Sequence, residues 1–171
     1  CNAGFDLFGR FGAYSSLVPY VNNYYVQAVV MFMIMAGGLG FMVWVELAEY
    51  RKKRRLSLHA KVVLQFSAIF WVGGAVLLAL LEWSNPKTMG GLSVPSKLMA
   101  ALFQSVSTRT AGMNTIDLAA CSPISKLLMS VLQFIGAAPG STGGGVKVTT
   151  FAVLILTIRS VAQGRDDCVI G

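Results

Sequence analysis

The chain has 171 residues, 55% of them hydrophobic and only 12% charged, with 14 Lys and Arg against 7 Asp and Glu for a formal net charge of +7. Soluble domains carry roughly a quarter charged residues, and here the charges are also segregated: residues 11–45 and 62–81 have none, and residues 127–158 have Lys147 alone. Crossing a hydrocarbon core takes about 20 uncharged apolar residues in helical form, so three such runs exclude an ordinary soluble domain and point to an all-α integral membrane protein.

Residues 1–20 are rich in Gly and Phe and lead into a first helix, expected as one continuous element over residues 23–49, with Glu46 and Glu49 at its wet end. Arg51, Lys52, Lys53, Arg54 and Arg55 follow. Such a run also fits a nuclear-localisation or nucleic-acid patch. Between two apolar runs it reads instead as a positive-inside cytoplasmic loop, residues 51–57, near anionic lipid headgroups and with no nucleic-acid partner. His59 beside it is expected to be solvated. A second helix over residues 58–83 returns outward, with Trp44, Trp71 and Trp83 available as interfacial anchors, and Asn85-Pro86, Gly90-Gly91 and Pro95 mark an extracellular turn-rich loop.

Residues 96–107 have an apolar helical pattern too short to span. The polar loop Ser107-Thr108-Arg109-Thr110-Ala111-Gly112-Met113-Asn114 follows. Short helix plus polar loop is the form of a re-entrant segment, tolerated at membrane depth where protein or water covers its backbone. Residues 123–159 are longer than one span needs, and Gly136, Pro139, Gly140, Gly143, Gly144 and Gly145 interrupt them. Proline and glycine do not continue a helix cheaply, so a broken helix is expected. Cys1, Cys121 and Cys168 are odd in number and widely spaced, giving neither a disulfide framework nor metal-ligand spacing.

An internal repeat organises these pieces. Asn2-Ala3-Gly4-Phe5-Asp6 and Thr110-Ala111-Gly112-Met113-Asn114 share a polar–Ala–Gly–large–polar pattern, and each precedes a long apolar helix with a glycine cluster, Gly37, Gly38 and Gly40 in one, Gly140 to Gly145 in the other. Two copies imply helix–pore loop–helix units. Residues 1–50 would end one unit, residues 58–160 would form the next with its broken helix, and residues 161–171 would be a cytoplasmic connection; the chain reads as an internal piece of a longer polypeptide. A cation site that replaces hydration with backbone carbonyls needs a short extended loop with permissive residues, which Asn2, Ala3, Gly4, Thr110, Ala111 and Gly112 supply. The helix of residues 97–107 would aim its negative end at the ion. The bland alternative is a pair of tight extracellular turns.

Three readings apply to the glycine-rich stretch. A phosphate-binding loop needs Lys directly after the last glycine, but Val146 intervenes before Lys147 and no strand precedes it. A simple kink for helix packing is the second. The preferred third is a mobile constriction made by Gly136, Pro139, Gly140, Ser141, Thr142, Gly143, Gly144, Gly145 and Lys147. Arg109 is expected to face extracellular water or to pair with Asp6 or Asp117, since a fixed positive charge in the pathway would repel cations. No His, Cys or carboxylate cluster offers catalysis, so no enzyme is expected.

The stretches Ser107-Thr108-Arg109-Thr110-Ala111-Gly112 and Phe134-Ile135-Gly136-Ala137-Ala138-Pro139-Gly140-Ser141-Thr142-Gly143-Gly144-Gly145-Val146-Lys147 resemble the third pore loop and following broken helix of the Ktr/Trk/HKT potassium transporter superfamily. Cys1-Asn2-Ala3-Gly4-Phe5 resembles its second-repeat filter. Ala137-Ala138-Pro139-Gly140-Ser141 and Thr149-Thr150-Phe151 are closer to the Ktr branch than to the Trk branch; Met113 departs from the aromatic commoner there. The resemblance covers essentially the whole chain. It implies four repeats around one pathway, with Gly4 and Gly112 as filter glycines, residues 136–147 as an intramembrane gate, potassium as transported ion and sodium as activator, and no covalent cofactor. It further implies a multi-pass subunit of the bacterial plasma (inner) membrane with filter loops toward the outside, a homodimer, and a cytosolic nucleotide-binding regulatory ring. A Trk-type subunit and a non-conducting membrane scaffold or sensor are the rival readings. A tag inserted between Arg55 and Ser57 of the full-length protein is expected to be protected from surface labelling in intact cells; labelling there would reverse the topology.

Overall fold

The computed structural model describes residue 4 and residues 15–109 and 111–163. Among the described residues there is no β-strand, only an isolated bridge between Ile135 and Val146, and six α-helices follow a single 3-10 turn at Val18–Tyr20. In chain order they are α1 (Tyr24–Gly38), α2 (Phe41–Lys53), α3 (Leu58–Glu82), α4 (Val94–Thr108), α5 (Pro123–Phe134) and α6 (Val148–Ala162).

The helix expected over residues 23–49 is not one element. α1 stops at Gly38, α2 starts at Phe41, and the axis turns by 98° between them. Gly37-Gly38-Leu39-Gly40 explains the break: helix-weakening glycines cluster here, and Gly40 takes a φ of +86°, outside the helical region. α2 then continues past Glu49 to Lys53, so Arg51 and Lys52 are helical and the connection to α3 narrows to residues 54–57. Arg54 caps α2 in the left-handed conformation. Ser57 caps α3 by accepting from the Ala60 N–H at 3.2 Å, while Glu46 holds it from behind, accepting from its backbone N–H at 2.9 Å and its hydroxyl at 2.7 Å.

α3 carries the architecture. Its 25 residues give roughly 38 Å of helix, enough to cross a bilayer core, and it is the one described helix long and apolar enough to do so alone. An N-cap and a run without charge or proline over residues 62–81 let it continue unbroken. It buries one stripe, Ala60, Val63, Ser67, Gly74, Leu78, Ala79 and Glu82, and exposes Ile69, Val72, Val76, Leu77 and Leu80, the distribution of a helix surrounded by hydrocarbon.

Against that stripe lies α4, longer at both ends than the expected residues 96–107. Small residues set the approach: a Cβ on Gly74 would overlap the Ser105 hydroxyl, which donates to the carbonyls of Trp71 (2.8 Å) and Phe70 (3.2 Å). Close packing through small residues with interhelical hydroxyl bonds is how helices associate without water. α4 also packs on α1, where Leu17, Met31, Ile34, Phe103, Val106 and Ala111 form a cluster. A second cluster of Leu78, Met89, Ala100, Ala101, Ile116, Cys121 and Met129 closes the end where α3, α4 and α5 meet.

That end is pinned by Glu82. Fully buried, its carboxylate accepts from the Asn85 amide (2.7 Å), the Thr88 hydroxyl (2.7 Å) and the Ser122 backbone N–H at the start of α5 (2.9 Å). Replacing Glu82 by Leu strands three donors, at about 1–3 kcal/mol for each one left unsatisfied. The full-length protein carrying Glu82→Leu is therefore expected to lose several degrees or more of melting temperature in a detergent-solubilised thermal melt; an unchanged melt would show that the donors find other partners.

Candidate functional site

Gly4 and Gly112, the two glycines singled out in the sequence, meet. Gly4 has a φ of +65° and Gly112 one of +78°; both lie in the left-handed region that favours glycine. A Cβ on Gly4 would overlap the Ala111 carbonyl oxygen and lie 3.2 Å from Gly112 Cα, and one on Gly112 would lie 3.6 Å from Gly4 Cα. The second turn hangs from the end of α4: the Ala111 and Gly112 N–H groups donate to the Ser107 carbonyl (3.0 and 3.2 Å), and the Ser107 hydroxyl donates to the Met113 carbonyl. The chain segments leaving the two turns then join, Leu17 N–H to Asn114 carbonyl at 3.0 Å and Asn114 N–H to the Ser16 hydroxyl at 3.1 Å. Asn2, Ala3, Thr110 and Asp6 lie outside the described residues.

Beside these residues is a cavity of about 630 Å³. Gly4, Ala111 and Gly112 form one wall, Gln104 and Thr108 of α4 another, and Lys126, Ser130 and Gln133 of α5 a third. The last three fall one turn apart, so α5 turns a polar stripe to the cavity while Ile124, Leu127, Val131 and Phe134 face out.

Between α5 and α6, residues 135–147 leave the helical path. The loop closes at its root, where Gly136 N–H donates to Val146 carbonyl (2.9 Å), Val146 N–H to Phe134 carbonyl (3.1 Å) and Ala137 N–H to Gly144 carbonyl (3.2 Å). Inside it, the Ser141 hydroxyl donates to Ala138 carbonyl (2.5 Å) and the Lys147 ammonium to Gly143 carbonyl (2.8 Å). Gly136, Pro139, Gly140, Ser141, Thr142, Gly143, Gly144 and Gly145 all sit in this one loop.

The loop docks into the bend between α1 and α2. Ala138 N–H donates to Gly38 carbonyl (3.0 Å), Thr142 donates to Gly37 carbonyl through both N–H and hydroxyl (3.2 Å each), and Phe41 N–H donates back to Gly140 carbonyl (3.0 Å). A Cβ on Gly40 would lie 2.5 Å from the Pro139 carbonyl oxygen, so only glycine admits the loop this closely. Ala138 completes the fit, buried against Leu39, Val43, Ala60 and Val63.

Arg109 does not face outward as expected, and among the described residues no carboxylate, Asp117 included, pairs with it. It is 5% exposed, and its guanidinium donates to the carbonyls of Gly136 (2.6 Å) and Ile135 (3.5 Å) at the root of the loop. The rings of Phe70 and Trp71 lie 5.3 and 6.0 Å from it, within cation–π range. Asp117 instead accepts locally, from the Ala119 N–H.

A family model for TrkH, a cation transport protein, matches residues 1–168. The chain belongs to the TrkH family of cation transport proteins. Among its relatives, the Ktr system potassium uptake protein B of Vibrio alginolyticus is 41% identical over 170 residues, covering 98% of this chain and 36% of that protein. The potassium/sodium uptake protein NtpJ of Enterococcus hirae is 37% identical over 165 residues, covering 96% and 35%, and a second Ktr system potassium uptake protein B, from Bacillus subtilis, is 34% identical, covering 99% and 37%. The chain thus spans about a third of the length of these relatives. The fold matches the crystal structure of the potassium transporter TrkH from Vibrio parahaemolyticus with a TM-score of 0.68 at 23% identity, over 86% of this chain and 32% of that one. These similarities agree with the Ktr-type resemblance of residues 107–112 and 134–147, and relatives named for uptake and transport agree with the expectation that the chain is no enzyme.

Sequence reading noticed Gly37, Gly38 and Gly40 as a repeat feature and missed them as a docking site. The signal was available, three glycines within four positions of an apolar helix, which marks a break or a close backbone approach. The contacts predict a contrast within one loop. A Cβ on Gly136 would overlap the Gly144 carbonyl, whereas one on Gly144 meets nothing within 4 Å. In the full-length protein, Gly136→Ala is expected to destabilise by about 2 kcal/mol or more through backbone displacement, and Gly144→Ala to stay within about 0.5 kcal/mol of the parent. Equal thermal melts for the two variants would contradict the geometry.

Proposed function

We propose that the chain is the central part of the potassium-translocating subunit of a Ktr-type monovalent cation uptake system in a bacterial plasma membrane. The observation that carries this reading is the meeting of Gly4 and Gly112 at the cavity beside α4. The left-handed Gly4, lacking a Cβ, lets the Ala111 carbonyl approach it beside the left-handed Gly112, and a ring of backbone carbonyls is what replaces potassium's water shell. α4 ends at these turns, so its negative end adds to the attraction for a cation.

In this reading the chain holds the end of a second helix–pore loop–helix repeat and a complete third. Asn2, Ala3, Gly4, Thr110, Ala111 and Gly112 are filter positions, and residues 135–147 interrupt the third-repeat helix as the gate under the filter, with Gly136, Pro139, Gly140 to Gly145 and Lys147 as its parts. The connection after Lys53 faces the cytoplasm and the filter faces outward. Sodium acts as activator in this reading. Potassium is cargo, and the gate needs no covalent cofactor. A homodimer seated on a cytosolic nucleotide-binding ring completes the system.

The test is rubidium uptake by the full-length parent, with its cytosolic partner, in cells stripped of their own potassium uptake systems. Gly112→Ser is expected to abolish uptake or to make it sodium-tolerant, because a side chain at a φ of +78° strains the turn and displaces the carbonyls. Uptake with unchanged potassium preference would remove Gly112 from the filter. No uptake by the unmodified parent would favour a non-conducting scaffold.

A further inference from the structure

We infer that Arg109 is a positioning residue that tethers the root of the 135–147 loop to the filter turn and thereby limits how readily the loop moves. The inference rests on the reading of residues 110–112 as filter and residues 135–147 as gate, and assigns to that site a device that neither repeat pattern nor resemblance contains.

Arg109 immediately follows α4 and precedes the filter turn, so its backbone moves with the filter. Its side chain reaches the other way, to the carbonyls of Ile135 and Gly136, where α5 ends and the loop begins. A guanidinium does not lose its proton in a protein, and a buried charge without compensation is strongly unfavourable. Among the described residues no carboxylate pairs with Arg109. Its compensation comes from the two loop carbonyls, the negative end of α5, and the faces of Phe70 and Trp71.

No substitute is at hand. The free space bordered by Arg109, Ile34, Gly38, Trp71, Val106 and Ala137 is about 10 Å³, at or below what a single water needs. If the loop root withdraws, the guanidinium loses both carbonyl acceptors and must find others. Every displacement of the loop therefore either strands this charge or drags the filter turn along. The first outcome opposes opening; the second links the gate to the filter. Both follow from one side chain.

The experiment compares the full-length parent with Arg109→Met and Arg109→Lys in the same stripped cells, with the cytosolic partner present. It measures initial rubidium uptake at saturating and graded concentrations, per amount of protein in the membrane. Methionine has similar length and no charge to strand, so the maximal rate is expected to rise roughly tenfold, the factor a charge-assisted hydrogen bond contributes to an equilibrium, with the half-saturating concentration within about twofold of the parent. Lysine keeps the charge but not the fork, and its rate should fall between the two. A merely structural role would lower the amount or rate of both variants and not raise either. Rates equal to the parent's in both variants, or lowered in both, would overturn the tether. Should Arg109→Met fail to reach the membrane, a raised rate in Arg109→Lys supports the tether and an unraised one overturns it. Absence of uptake by the parent itself would instead defeat the transport reading.

Discussion

The breaks between α1 and α2 and between α5 and α6 leave backbone donors and acceptors with no partner inside their own helices, and away from water such groups must be satisfied or the structure is unfavourable by several kcal/mol. Here each interruption satisfies the other. The carbonyls of Gly37 and Gly38, orphaned where α1 ends, accept from the loop's Thr142 and Ala138, and the Phe41 N–H, orphaned where α2 begins, donates to Gly140. The bend of 98° and the extended loop are therefore one structure made from two distant stretches of chain. Glycine at residue 40 is required by the approach of the Pro139 carbonyl; the others thin the backbone enough for main chain to meet main chain.

Everything near the cavity is positioned by that pairing. The loop fixes where α5 ends, α5 presents Lys126, Ser130 and Gln133 to the cavity, and α4 fits between α1 and the Gly74 face of α3. α4 is short, but its buried residues run from Ser96 to Ser107, so its end and the turns beyond it are held from every described side. A precise turn on a firmly packed helix sits beside a loop made chiefly of glycine and held by main-chain bonds. Rigidity and compliance are placed next to one another, with Arg109 bridging them.

Much of this was legible in the sequence. α3 was readable because residues 62–81 carry no charge and no proline. α4 was readable because its apolar period stops before a polar loop, and the departure from helix at residues 136–145 because proline and glycine accumulate there. The bend at residues 37–40 was not, since hydropathy responds to side chains and an apolar stretch with three glycines still scores as a span. The inward turn of Arg109 was invisible for a different reason. Its acceptors are main-chain carbonyls 26 and 27 residues away, and no pattern of side chains advertises a carbonyl. Carboxylates are what a sequence displays, and Asp117 accepts from the Ala119 N–H instead. The turns at Gly4 and Gly112 could be read as related, but their contact could not, because two similar segments need not touch.

The pairing of the two breaks also imposes an order on biogenesis. Gly37 and Thr142 are 105 positions apart, which at ribosomal speed separates their synthesis by roughly 5–20 s. Through that interval the nascent α1–α2 segment has no loop to receive. A continuous helix would meet its own backbone requirements in the meantime, so the sharp corner belongs to a late stage of assembly. The bonds that seal the corner can form only after residue 142 has been made.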